Sequence, residues 1–594
     1  MKKRKLLAPV LALSLAVTGL QGCSTDTNLA QSTTIEQGTY FMNVTTDLAA
    51  YKPGDTVNFQ LSMKKQEKGT SLLVKYKHLH ETIHEEEIKL DGTQNVEWSW
   101  TPGDEDFKGY LVDVYLQNGK DIVDHTAIAV DVSSDWSKFP RYGYLADFYE
   151  LEREEQEAVI ERLNRFHLNG LQFYDWQYKH EKPLKMENGK VADTWKDIAN
   201  RIVSKETVET YIELAHEKNM MAMNYNLLFG AYEDHETEGV KREWGIYKDP
   251  LHQDIDMHPL PDSWASDIHL MNPANEEWQD FIFNAEKETF EHLAFDGWHV
   301  DQLGDRGTRW DYNGDRVDLA ATYSPFLQRA KDELDVPLVM NAVEQFAQMY
   351  LATQAPVDFL YTEVWSSFPH YKNLKGIIDQ NGKFSKGKLQ TVLAAYMNYD
   401  YSNSVGEFNT PGVLLTNAVI FAAGGAHLEL GENMLSKEYF PHKNLTITPE
   451  LEQSLQNYYD FLVAYQNLLR DGAEEIEKDI SIEGDIEVSQ DAELGKVWSF
   501  VKQKDNKEII HLINFTDATT MEWKDNEGSQ AEPTERKDVT ISIPTDKEVA
   551  SVWMASPDVY NATSVTLPFK EKDGVVTITL PSLKYWDMVV LQYK

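Results

Sequence analysis

Phe295-Asp296-Gly297-Trp298-His299-Val300-Asp301-Gln302-Leu303-Gly304-Asp305 reads as a short apolar strand that begins near one acid and ends on another. Side chains alternate along a strand, so His299 and Asp301 take one face while Val300 and Gln302 take the other. Asp301 stands at the strand end, just before Gly304 opens a loop. Asp296 starts the strand and reads as a turn residue at the opposite, structural end. A second stretch, Asp358-Phe359-Leu360-Tyr361-Thr362-Glu363-Val364-Trp365, repeats the design with Glu363 at its end. Tyr361 and Trp365 share the face of Glu363 by the same two-residue period.

Outward from these two segments the rhythm continues. Further strands are read near Tyr142–Phe148, Gly170–Trp176, Met221–Phe229, Leu338–Val343, Leu389–Asn398 and Ala426–Gly431. Helical stretches lie between them, among them Glu206–Lys218, Glu276–Leu293, Ser324–Leu334 and Pro411–Ala422, and Glu450–Leu469 closes the series. Eight β-then-α units predict a central (β/α)8 TIM barrel over residues 138–472. The longest insertions follow the second and third strands, on the face where barrels build their clefts. Residues 37–137 alternate in a β-branched pattern with turns at Pro53-Gly54-Asp55 and Pro102-Gly103-Asp104, which predicts an immunoglobulin-like β-sandwich. Residues 473–594 return to strands such as Val497–Val501 and Ile509–Ile513, which predicts a C-terminal β-sandwich with a structural role.

The 594 residues exceed what one core supports, in keeping with a multidomain chain. A formal net charge of −41 disfavours nucleic acid and polyanionic partners and is compatible with a neutral polymer. Lys2 to Lys5 and the apolar run from Leu6 to Leu20 form a signal peptide over residues 1–22. Its end, Leu20-Gln21-Gly22-Cys23, resembles the lipobox of bacterial lipoproteins. That resemblance implies lipidation at Cys23, a tether over residues 23–36, and an extracellular or cell-surface location on a bacterial membrane. Cys23 is the sole cysteine, so no intramolecular disulfide forms. There is no zinc spacing, phosphate loop or nucleotide fingerprint, so neither a metal nor a cofactor is expected. Asp311-Tyr312-Asn313-Gly314-Asp315 fails the calcium-loop pattern and reads as a polar turn.

Cutting a glycosidic bond needs two carboxyl groups flanking it, and in a barrel both belong at C-terminal strand ends. Asp301 and Glu363 meet that filter; a buried ion pair or a loop cap is the alternative for each. Tyr174, Asp175 and Trp176 end the second strand and offer a platform and hydroxyl clamp for sugar. Asn224, Tyr225 and Asn226 end the third. His427 and Glu429 share a face of the eighth strand and are candidates for the site floor, with Asn341 and Asn398 as weaker ones.

Three segments carry a family resemblance. Gly297 to Gly304 is similar to the nucleophile strand of glycoside hydrolase family 66, the dextranases and the cyclising isomaltooligosaccharide glucanotransferases. Tyr361 to Trp365 is similar to that family's acid/base strand. Phe173-Tyr174-Asp175-Trp176-Gln177-Tyr178-Lys179-His180 resembles its pattern after the second strand. The resemblance spans the barrel and the flanking β modules. It implies a retaining enzyme acting on α-1,6-glucan (dextran) and isomaltooligosaccharides, with Asp301 as nucleophile and Glu363 as acid/base. The residues suit those roles on their own terms: His299 or nearby donors keep Asp301 charged, and Tyr361 and Trp365 offer Glu363 an apolar wall. Cyclising members carry an extra binding module inserted within the barrel. This barrel lacks room for one, which favours a dextranase over a cyclising glucanotransferase, and the presence of both Asp301 and Glu363 argues against a non-catalytic glycan-binding lipoprotein.

Overall fold

The computed structural model describes residues 38–66, 69–439 and 441–594. The expected signal, Cys23 and tether lie outside the described residues. At the centre, eight parallel strands pair in chain order: β1 Tyr142–Leu145, β2 Gly170–Phe173, β3 Met221–Leu227, β4 Gly297–Asp301, β5 Leu338–Asn341, β6 Leu360–Glu363, β7 Thr391–Ala394 and β8 Ala426–Leu428. Each is followed by a helix: α1 Arg153–Arg165, α2 Lys205–Glu217, α3 Glu276–His292, α4 Leu319–Leu334, α5 Gln348–Gln354, α6 Tyr371–Ser385, α7 Thr410–Ala423 and α8 Pro449–Ala464.

The sheet is nearly closed. β1 meets the end of β8 through the Tyr144 N–H, which donates to the Leu430 carbonyl at 3.1 Å. Two glycines permit this approach. A Cβ on Gly143 would lie 2.7 Å from the Leu430 oxygen, and one on Gly431 would lie 2.4 Å from the Tyr144 oxygen.

The two-residue period sorts the strands into two layers. Tyr142, Tyr144, Met223, Val339, Tyr361, Val392, Ala394, Ala426 and Leu428 pack together inside the barrel. Trp298, Val300, Leu338, Met340 and Leu360 face outward against the helices. Helix α3 shows how the outer layer is built. Asn275 caps it by accepting from the Trp278 N–H at 3.0 Å, and Trp278, Ile282, Phe283 and Glu286 form its buried face.

N-terminal to the barrel, a three-stranded and a four-stranded antiparallel sheet share one apolar core. C-terminal to it, a seven-stranded and a four-stranded sheet do the same. Both modules rest on the helical layer. The Ala129 N–H donates to Asp460 on α8 at 2.8 Å, and the Lys502 ammonium donates to the Ala422 and Ala423 carbonyls at the end of α7 at 2.9 and 2.7 Å.

Adding one methyl group at the seam should force β1 and β8 apart. Gly431→Ala is expected to cost about 1–3 kcal/mol in chemical unfolding, the range for overpacking a tight site. An unchanged midpoint would mean that the seam is looser than this geometry.

Candidate active site

The C-terminal ends of the strands open into a cleft lined by Tyr174, Asp175, Tyr225, Asp301, Glu363 and Trp365. Each is placed by strand parity or by the residue that follows a strand end. Tyr225 on β3, Asp301 on β4, Asn341 on β5 and Glu363 on β6 lie on neighbouring strands. Asn341 joins the two acids. Its side-chain N–H2 donates to Asp301 Oδ1 at 2.9 Å and to Glu363 Oε2 at 3.3 Å. Its own oxygen accepts from the Glu363 backbone N–H at 3.1 Å, which fixes the way the amide faces.

Other donors complete the pair. The Tyr225 hydroxyl donates to Asp301 Oδ2 at 2.6 Å, and the Gln302 N–H donates to Oδ1 at 2.8 Å. The Tyr396 hydroxyl, two residues beyond β7, donates to Glu363 Oε1. Burial raises the pKa of Glu363, the Asp301 charge raises it further, and together they push it to about 7 against the donors on Tyr396, Trp365 and Asn341. Asp301 is raised from the usual carboxylate range by burial, with Tyr225, Asn341 and the Gln302 N–H pulling it back. Asp175 also lines the cleft, at φ 51° and 4% exposed. Burial pushes its carboxyl up to about 7, against the positive charge of Arg201.

Several expected contacts lie elsewhere. Trp176 is fully buried, packs against Trp195 and Phe295, and donates its indole N–H to Asn224 Oδ1 at 2.9 Å. Asn224 and Asn226 point out of the barrel, each donating to the buried Glu286 on α3 at 2.6 Å. His427 and Glu429 also face the helical layer. His427 bonds Asn417 at 2.6 Å and the Ala395 carbonyl at 2.8 Å, while Glu429 accepts from Asn417 at 2.8 Å and Tyr459 at 3.0 Å. Ala426 and Leu428 hold the inward face that the sequence reading gives to His427 and Glu429. Asn398 is buried and donates to the Asp525 carbonyl at 2.8 Å. His299 does face inward, but one layer beneath the cleft. Its ring stacks between Tyr142 and Tyr225, its Nδ1 lies 3.2 Å from the Tyr142 hydroxyl, and burial depresses its pKa to about 3. A neutral imidazole there supplies no charge to Asp301; Tyr225 and Asn341 stabilise it instead.

Tyr396 and the cleft residues Trp264, Arg306, Glu438 and Tyr439 escaped the sequence reading. Tyr396 was accessible to it, since it shares the inward face with Val392 and Ala394. The others sit in long loops that carry no periodic signal. The loop after β4 is tied to the loop after β3 by Arg306 and Arg309, which donate to Asp256 at 3.0 and 2.8 Å.

A carboxyl pair held at the C-terminal rim of a parallel barrel is the apparatus of enzymes that act on glycosidic bonds. The chain belongs to glycosyl hydrolase family 66, whose profile matches residues 46–590. It is 27% identical to a cycloisomaltooligosaccharide glucanotransferase of Niallia circulans over 707 aligned positions, covering 92% of this chain and 71% of that protein. It is 25% identical to a dextranase of Streptococcus salivarius, covering 82% of this chain and 67% of that one. The crystal structure of a Paenibacillus sp. cycloisomaltooligosaccharide glucanotransferase complexed with cycloisomaltoheptaose matches with a TM-score of 0.87 and 27% identity, over 93% of this chain and 99% of that chain.

The two cleft-end tryptophans should respond differently to truncation. Trp176→Ala removes a core side chain and should cost about 3–5 kcal/mol of stability. Trp365→Ala should leave the unfolding midpoint near that of the parent and weaken sugar binding. Equal stability losses would place Trp365 in the core as well.

Proposed function

We propose that the protein is a retaining endo-hydrolase of α-1,6-glucosidic linkages in dextran, releasing isomaltooligosaccharides. The observation that carries the mechanism is the Asn341 bridge. Two carboxyl oxygens that share one amide nitrogen at 2.9 and 3.3 Å support the close spacing of retaining pairs over the wider one of inverting pairs, which must admit a water. In the first step Asp301 attacks the anomeric carbon while Glu363 gives its proton to the departing glycosidic oxygen. A covalent glycosyl ester forms on Asp301. Glu363, now a carboxylate, takes a proton from water; that water attacks the anomeric carbon and frees Asp301, with the configuration retained. The raised pKa of Glu363 suits the acid, and the donors on Asp301 suit the nucleophile.

The substrate rests on the dextranase and the glucanotransferases that the chain resembles, and a neutral glucan agrees with the chain's acidity. A second reading, cyclisation of the cleaved glucan, is favoured by the 27% identity to glucanotransferases. Against it stands an alignment of 707 positions on a chain of 594 residues, so the Niallia circulans enzyme carries residues within the matched stretch that this chain lacks. Product analysis on linear dextran separates the two: linear isomaltooligosaccharides support hydrolysis, and cyclic ones overturn it.

Glu363 must be protonated for the first step, so turnover should fall as pH rises through about 7. On the acid side it should fall as Asp301 takes up a proton. A basic limb unmoved in Glu363→Gln residual activity would assign that limb to another group.

The two carboxyls should also separate under azide rescue with an activated substrate. Asp301→Ala should yield the β-glucosyl azide, by inversion. Glu363→Ala should yield the α-glucosyl azide, by retention. Swapped anomers would reverse the two roles, and inversion by the parent enzyme would falsify double displacement.

We also infer a lipid anchor at Cys23, on the motif alone. Cys23→Ala should release active protein to the soluble fraction; unchanged membrane association would refute it.

A further inference from the structure

Residues 515–535 connect the C-terminal strands Lys507–Asn514 and Arg536–Pro544 without a helix or strand of their own. Connections this long inside a compact domain serve a function or remain loose linkers. This one is bolted to the barrel rim. The Trp523 indole is fully buried and donates to the Phe368 carbonyl at 2.6 Å. The Lys524 carbonyl accepts from the Asn398 N–H at 2.8 Å, and Asp525 accepts from the side chains of Asn398 and Asn409 at 3.0 and 2.7 Å. Gly412 makes room for that carboxylate, since a Cβ there would lie 2.4 Å from Asp525 Oδ2.

Between these anchors the chain projects Lys524 over the cleft wall. Its ammonium lies 4.8 Å from the ring centres of both Trp365 and Tyr399, and 5.5 Å from that of Trp523. Burial pulls it below the ordinary lysine range, while Glu438, Glu363, Asp400 and Glu344 act in the opposite sense. Trp365 is half-buried and followed by the exposed Ser366 and Ser367, so its own loop gives it little support. Its other ring neighbours are Tyr399 and Tyr396, and Tyr396 is the residue bonded to Glu363.

We propose that Lys524 is a positioning residue of the cleft, by which the C-terminal module clamps Trp365 and sets how tightly the sugar beside Glu363 is held. This rests on the reading of Glu363 as the acid, which puts that sugar on the leaving-group side. A cation over two aromatic faces holds the indole plane in place for stacking on a sugar ring. Without it the indole keeps its donation to Glu363, a tilted neighbour and an edge-on one, and loses the cation over its face.

The test compares Lys524→Met, which keeps the side-chain length and drops the charge, with Lys524→Arg, which keeps both. Each is assayed on isomaltooligosaccharides and on an aryl α-isomaltoside, whose leaving group carries no sugar. Lys524→Met should raise KM for the oligosaccharides roughly threefold to thirtyfold, the span of a cation–π contact, with kcat little changed. Its KM on the aryl substrate should match that of the parent, and Lys524→Arg should restore the oligosaccharide KM. Equal losses on both substrates, or no loss on either, would overturn the proposal. A parent enzyme that leaves α-1,6-glucan uncut would sink the proposed function first, and this inference with it.

Discussion

Two carboxyl groups brought close together in a half-buried cleft repel each other, and the cleft is arranged around that repulsion. One amide, that of Asn341, answers both. Because its oxygen is committed to the Glu363 backbone N–H, its nitrogen has no choice but to face the acids. Tyr225 then serves Asp301, and Tyr396 serves Glu363. The donors are unequal in grip: the shared Asn341 amide lies 2.9 Å from Asp301 and 3.3 Å from Glu363, and Asp301 also receives the Gln302 N–H at 2.8 Å. The better-solvated charge therefore falls on Asp301, and the proton is held on Glu363. A pair of like residues is thus separated into two chemical roles by hydrogen bonds from β3, β5 and the residues that follow β4 and β7.

That arrangement demands a rigid base. The inward layer beneath the cleft is aromatic: Tyr142, His299, Tyr361 and Tyr225 lie in ring contact. The depressed pKa of His299 follows from this burial, and a neutral ring at that level avoids adding a charge below the carboxyls. Behind β3, the buried Glu286 takes one bond from each of Asn224 and Asn226, so the strand that carries Tyr225 is pinned on its outer side too. Burial pushes that carboxyl up to about 7, while the two amides pull it back.

The barrel was legible because strand and helix periods differ, and because each strand ended in loop-forming residues. The catalytic candidates were legible for the same reason: Asp301 and Glu363 combine strand-end position with inward parity. Where the reading failed, it failed by parity. His427 and Glu429 share a face, as inferred, but that face belongs to the helices; periodicity groups residues without saying which group points inward. Ending a strand marks Trp176 and Asn224 as cleft residues, yet each turns outward and they bond one another. Lys524 had no signal at all. Its place depends on anchors at Phe368, Asn398 and Asn409, far from it in sequence, and no local pattern encodes such a contact.

The same non-local contact bears on how hydrolysis and transfer are divided. In the proposed mechanism both reactions pass through an ester on Asp301, and both need Glu363 as the base in the second step. They differ only in which hydroxyl reaches the anomeric carbon: that of water or that of a sugar. The carboxyl geometry is therefore neutral between them, and the choice falls to the surfaces that hold or release a sugar on the Glu363 side. On the proposal made above those surfaces are Trp365, on the loop after β6, and the residues that steady it. A binding module elsewhere in a longer relative would act on the same step by keeping the far end of a glucan close by, raising its effective concentration without touching the acids. Two chains with the same carboxyl pair would thus diverge in product through parts that never contact the reacting atoms.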